Sequence, residues 1–174
     1  MVHRLEKTLF ILVTVCLLLS NSICFADNRQ VAKHKAIKNF TLTDMQNVKH
    51  TLSTYKGKWM IVNYWATWCP PCLEEVPDLV ALYDSRKNKD VMILGVVFDY
   101  ESAEEVTHYV DDMLMSYPIV LGDDAVIKQI GKAEVLPTTF IYSPTGELKK
   151  IKRGLVTKQY LEEMIAEEKI IDKK

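Results

Sequence analysis

The sequence predicts an α/β fold: a three-layer sandwich with a mixed central sheet and helices on both faces, the parallel part of the sheet first and an antiparallel edge last. Three observations predict it. Two near-continuous apolar runs, Lys58 to Ala66 (KWMIVNYWA) and Val91 to Phe98 (VMILGVVF), read as central strands covered on both sides. Segments with apolar residues at helical spacing lie between and after them. Two strand-like runs then meet at Ser143-Pro144-Thr145-Gly146, which is hairpin punctuation.

Taken in order, the chain opens on a segment unlike the rest. Arg4 and Lys7 precede an apolar run from Leu9 to Leu19, followed by a polar break and the small residues Cys24 and Ala26. This is the grammar of an export signal, cut before Asp27 or retained as a membrane anchor: the run falls short of the ~20 residues of a spanning helix, but counting on to Phe25 brings it within range. Residues 1–26 are therefore read as signal peptide or N-terminal anchor, and residues 27–38, polar and basic with no apolar period, as a tether. The domain is placed at residues 39–174. Its composition, with 48% hydrophobic and 26% charged residues over the whole chain, suits one globular domain. A formal charge of −1 with scattered lysines gives no ground for a nucleic-acid partner.

Within that domain the first strand run leads into PCLEEVPDLVALYDS, with Val76, Leu79, Val80 and Tyr83 at helix spacing. After the second strand, Val106, Tyr109, Val110 and Met113 mark another helix, whose start carries a capping box, Ser102 with Glu105. A short helix is expected over Val126 to Ile130. The hairpin follows, and Leu161, Met164 and Ile165 align on one face of a last helix after Thr157.

Loss of the first 26 residues would remove Cys16 and Cys24, leaving Cys69 and Cys72 to pair with each other or with a partner. Cys69 follows a strand and stands where a helix begins, with Pro70 at the first helical position. A thiolate at that N-cap is favoured by the helix dipole and the unpaired amides, which lowers the thiol pKa below ~8.5 and makes the sulfur a nucleophile. Cys72 lies about one turn along the same face. Cys69 would attack a disulfide and Cys72 would resolve the mixed disulfide. Because Pro70 and Pro71 donate no N–H, the thiolate is less stabilised and the pair is expected to be reducing.

WATWCPPC, together with VLPTTF at Val135 to Phe140, resembles the thioredoxin superfamily, and within it the exported reductases similar to TlpA and ResA. The resemblance extends over Asn39 to Lys169 and implies a thioredoxin-like sandwich acting as a protein-disulfide reductase, with no cofactor and no metal. It implies a cis Leu136–Pro137 bond facing the cysteines, so that Leu136, Pro137 and Trp68, with Pro70 and Pro71, form the docking rim for substrate. Thioredoxin has an aspartate six residues before the first cysteine, where this chain has Asn63. The exported branch instead has a glutamate three residues after the second cysteine, which maps to Glu75. Helical geometry favours Glu75 over Glu74, and partial burial would raise its pKa into the range useful for taking the Cys72 proton. Substrates would be disulfide-bearing proteins, and a reductant outside the cytoplasm needs a membrane thiol reductase to recharge it. A monomer in the periplasm, free or anchored, is expected.

Other readings of the pair are weaker. A bridge closing four residues is a poor structural staple. A zinc site lacks its other half, since His34, His50 and His108 stand apart in the sequence. An oxidase or isomerase, and a copper-handling module using the sulfurs as soft ligands, remain the alternatives. Trp59, Tyr64 and Trp65 are read as core, and His108 and Glu74 as solvated surface.

Overall fold

The computed structural model describes residues 39–171, so the expected leader over residues 1–26 and the tether over residues 27–38 lie outside the described residues. The first elements are a small antiparallel hairpin, β1 (Thr41–Thr43) with β2 (Lys49–Thr51), and a 3-10 turn over Leu52–Tyr55. Then come β3 (Trp59–Trp65), α1 (Pro70–Arg86), β4 (Val91–Val97), α2 (Ala103–Asp112) and β5 (Ile119–Leu121). The chain ends with α3 (Asp124–Ile130), β6 (Thr138–Tyr142), β7 (Leu148–Arg153) and α4 (Lys158–Ile171).

The main sheet runs β5-β4-β3-β6-β7, with β3, β4 and β5 parallel and β6 and β7 antiparallel. Both central strands are buried throughout, as their unbroken apolar runs require. Alternation along β3 divides the core in two. Trp59, Ile61 and Trp65 share one cluster with Val76, Leu79 and Leu82 of α1, Val106 of α2 and Leu161 and Ile165 of α4. Met60, Val62 and Tyr64 share the other with Val126 and Ile130 of α3 and with Phe40 and Leu42 of the first hairpin.

The hairpin of β1 and β2, and the third parallel strand β5, are additions to the sequence reading. Each of these strands is three residues long, too short to display a period. The hairpin is held by side chains instead. His50, buried and not isolated as its sequence position suggests, meets Asp44 Oδ2 through Nε2 at 2.8 Å and the Tyr55 hydroxyl through Nδ1 at 2.7 Å. The Val48 and Gln46 amides donate to Asp44 Oδ1. Burial pushes the Asp44 carboxyl up, but these bonds outweigh it and leave the group below its ordinary value. The Met45 amide donates to the Ile119 carbonyl, tying the hairpin turn to β5.

The capping box on α2 differs in one bond. The Ser102 hydroxyl accepts from the Glu105 amide at 3.1 Å, but the Glu105 carboxylate reaches the Glu101 amide, one residue before the cap.

Candidate active site

The end of β3 delivers the chain into α1, and Cys69 is the N-cap of that helix, with extended backbone dihedrals and prolines at the first two helical positions. This is what two prolines enforce: neither can donate a helical hydrogen bond, and both fit only where the first amides are unpaired. Cys69 and Cys72 form a disulfide, with sulfurs 2.09 Å and Cα atoms 5.3 Å apart. The helix closes beneath it, the Cys72 and Leu73 amides both donating to the Cys69 carbonyl.

A nucleophilic sulfur at a helix cap suggests an exposed cysteine, but the structure buries it. Cys69 is only 3% exposed and Cys72 is buried as well. Both belong to the apolar cluster of Trp65, Ala66 and Val76, against which Leu73, Tyr100 and Leu136 pack. The exposed groups around them are Trp68, at 58%, with Pro70 and Pro71. The Trp68 indole N–H donates to the Asp99 carbonyl at 3.1 Å, which ties the ring to the loop after β4. Asp99 itself has a left-handed backbone, φ 54°.

Glu75 follows Cys72 by three residues on α1 and is fully buried, at 0% exposure, where the sequence reading expects partial burial. Its two oxygens are held by different parts of the fold. The Asn63 side-chain amide on β3 donates to Oε1 at 2.6 Å, and the Val156 backbone amide, 81 residues on, donates to Oε2 at 2.8 Å. Burial is the largest influence and pushes the carboxyl up to about 7. The Val156 and Asn63 bonds and the Lys152 charge pull the other way. Glu74, its neighbour, is exposed.

Just before β6, the strand beside β3, the Leu136–Pro137 bond is cis. Leu136 is half-buried and Pro137 buried, and the Gly154 amide donates to the Pro137 carbonyl at 2.8 Å. Strand β6 begins at once and pairs with β3, Asn63 standing opposite Thr139. The structure thus gathers Cys69, Cys72, Glu75 and Leu136 at one face of the sheet. The roles of Asn63 and Val156 went unseen in the sequence. A polar residue inside the otherwise apolar run of β3 was the available signal for Asn63; a backbone amide leaves none.

Comparison with known proteins places this arrangement. Residues 34–151 match the AhpC/TSA family. The thiol-disulfide oxidoreductase ResA of Geobacillus kaustophilus (strain HTA426) is 34% identical over 138 residues, 79% of each chain. The chain belongs to the AhpC/TSA family, among the ResA-like thiol-disulfide oxidoreductases of the thioredoxin superfamily. ResA of Bacillus subtilis (strain 168) is 30% identical over 158 residues, covering 89% of this chain and 87% of that one. Among solved structures, StoA from Bacillus subtilis superposes with a TM-score of 0.62 at 26% identity, over 72% of this chain and 94% of that one. A thioredoxin-family thiol:disulfide interchange protein from Chlorobium tepidum TLS has a TM-score of 0.66 at 24% identity, over 74% and 91%, and shares the fold.

Proposed function

We propose that this ResA-like oxidoreductase reduces disulfides of protein substrates outside the cytoplasm, with Cys69 as attacking thiol, Cys72 as resolving thiol and Glu75 as the group that takes the Cys72 proton. The observation that carries the reading is the buried Glu75 carboxyl one turn from Cys72, bonded on both oxygens and titrating near neutrality. A carboxyl at its ordinary value would be too weak a base for a thiol.

The cycle balances within the protein and its partners. The Cys69 thiolate attacks one sulfur of a substrate disulfide, forming a mixed disulfide and releasing the other sulfur as thiolate, which takes a proton from water. Glu75 accepts the proton of Cys72, whose thiolate attacks the Cys69 sulfur, closes the internal disulfide and displaces the second substrate sulfur as a thiolate, which takes the proton held by Glu75. Two electrons have passed to the substrate, and no cofactor takes part. The oxidised form is the one present here. Its return to the dithiol needs two electrons and two protons from a further thiol donor, which we assign to a membrane thiol reductase. Trp68, Pro70 and Pro71 form the exposed side of the docking rim, with Leu136 and the cis Pro137 opposite. The N-terminal segment supports export, with residues 1–26 either removed or kept as an anchor in the inner membrane, and the domain works as a monomer.

The test is trapping in cells. A Cys72→Ser variant should accumulate mixed disulfides through Cys69, identifiable after isolation, while Cys69→Ser should accumulate none. Equal recovery from both, or recovery through Cys72 alone, would reverse the assigned roles.

A further inference from the structure

Strand β3 is apolar on both faces except at Asn63, which is 1% exposed. A buried amide in the middle of a central strand carries a desolvation cost unless its hydrogen bonds are met, so its presence calls for a physical reason. Both hydrogens of Asn63 Nδ2 are spent. One goes to Glu75 Oε1 at 2.6 Å and the other to Thr139 Oγ1 at 3.1 Å. Asn63 lies between Gly95 of β4 and Thr139 of β6 in the ladder, so its backbone is fixed by strands on either side.

We propose that Asn63 is a positioning residue for the redox step: anchored by Thr139, its amide holds the Glu75 carboxyl in one place, one helical turn from Cys72, and allows it to exchange a single proton. The inference rests on the role given to Glu75 above.

The chemistry of the alternatives supports it. An aspartate at position 63 would put a second carboxyl at hydrogen-bond distance from Glu75, and two carboxyls that close share one proton and titrate in two separated steps. An apolar residue would leave Glu75 Oε1 and Thr139 Oγ1 without this donor in a buried site. An amide is neutral at every working pH and donates to the ionised form of its neighbour, which favours that form. Other groups also act on Glu75. Lys152 on β7 favours the charged form, and Tyr117, on the segment leading into β5, feels the Glu75 charge and is itself pushed up, mainly by burial. On α1, Cys72 stands one turn before Glu75, and the Val156 amide approaches from the segment before α4. Among these, only Asn63 and Val156 hydrogen-bond the carboxyl, and only Asn63 does so through a side chain.

The experiment follows the Glu75 carboxyl carbon by NMR in the reduced, full-length protein labelled at glutamate, alongside the pH profile of insulin reduction. Asn63→Ala should move both midpoints upward by about one pH unit, the loss expected for one hydrogen bond to a charged group. Asn63→Asp should replace the single carboxyl step with two. Thr139→Val, nearly isosteric, should shift the midpoint in the same upward direction by less, and it keeps the inference testable should the Asn63 variants fail to fold. In a Glu75→Gln background, Asn63→Ala should leave the pH profile where Glu75→Gln put it. An unmoved midpoint in Asn63→Ala or, if that variant does not fold, in Thr139→Val, or a shift that persists in the double variant, would overturn the role of Asn63. A profile that Glu75→Gln leaves unmoved would instead overturn the role of Glu75 itself, so the two failures are distinct.

Discussion

Glu75, in the role proposed for it, would serve function at a cost in stability. Its carboxyl is lifted from 4.5 in an ordinary environment to about 7, chiefly by burial. The native protein therefore binds this proton more tightly than the unfolded chain does. The contribution to stability is fully present below about pH 4.5 and declines as pH rises to about 7, by as much as ~3 kcal/mol. Glu75→Gln cannot ionise and has no such decline. Thermal melts of the oxidised protein should show the variant gaining on the parent chain as pH is raised from 5 to 8. Parallel curves for the two proteins would mean that Glu75 is not held near neutrality. Such a penalty is tolerable where a carboxyl must be a competent base toward a thiol, and it disappears whenever the group carries its proton.

At the scale of one element, the first turn of helix α1 sets the donors available to Cys69. An N-cap side chain ordinarily accepts from the amide two or three residues on. Here the residue two on is Pro71, which has no N–H, and the Cys72 amide donates to the Cys69 carbonyl. A Cys69 thiolate thus has fewer donors than the helix end would normally supply, and the proposed reducing character of the pair predicts a consequence. Pro71→His restores one amide. Its reduction potential, measured by equilibration with glutathione, should rise by roughly 30 mV, equivalent to one hydrogen bond to a charged group. A potential that stays level or falls would show that the missing donors do not set the redox poise.

The molecule as a whole brings the site together from distant stretches of chain: Asn63 from β3, the cysteines and Glu75 from α1, Leu136 and Thr139 from the start of β6, and Val156 from the loop before α4. Asn63 is paired across the sheet with Gly95 of β4, on which β5 and the segment before it pack closely. Gly95 of β4 is a point of close approach, for a Cβ there would lie 2.8 Å from Ile119 Cδ1 and 2.9 Å from Tyr117 Cε2. Gly95→Ala should destabilise the fold by about 1–3 kcal/mol, as other overpacked cores are destabilised. Urea unfolding measures it, and an unchanged midpoint would show that the strand has room to spare.

The sequence alone determined much of this, because the features concerned are local or periodic. The apolar runs of β3 and β4, the helical spacing of α1, α2 and α4, and the turn before β7 appear in the structure where the residues predict them. So does the cap position of Cys69, since two prolines can follow it only at a helix start. Tertiary structure alone decided the rest. Three-residue strands such as β1, β2 and β5 carry no period and exist because other strands and the Asp44–His50 pair hold them. The burial of Cys69, the complete burial of Glu75 and the donors on its oxygens depend on groups from 12 to 81 residues away. Desolvation sets the Glu75 proton affinity, and it depends on the packing around the carboxyl, which only the assembled core supplies.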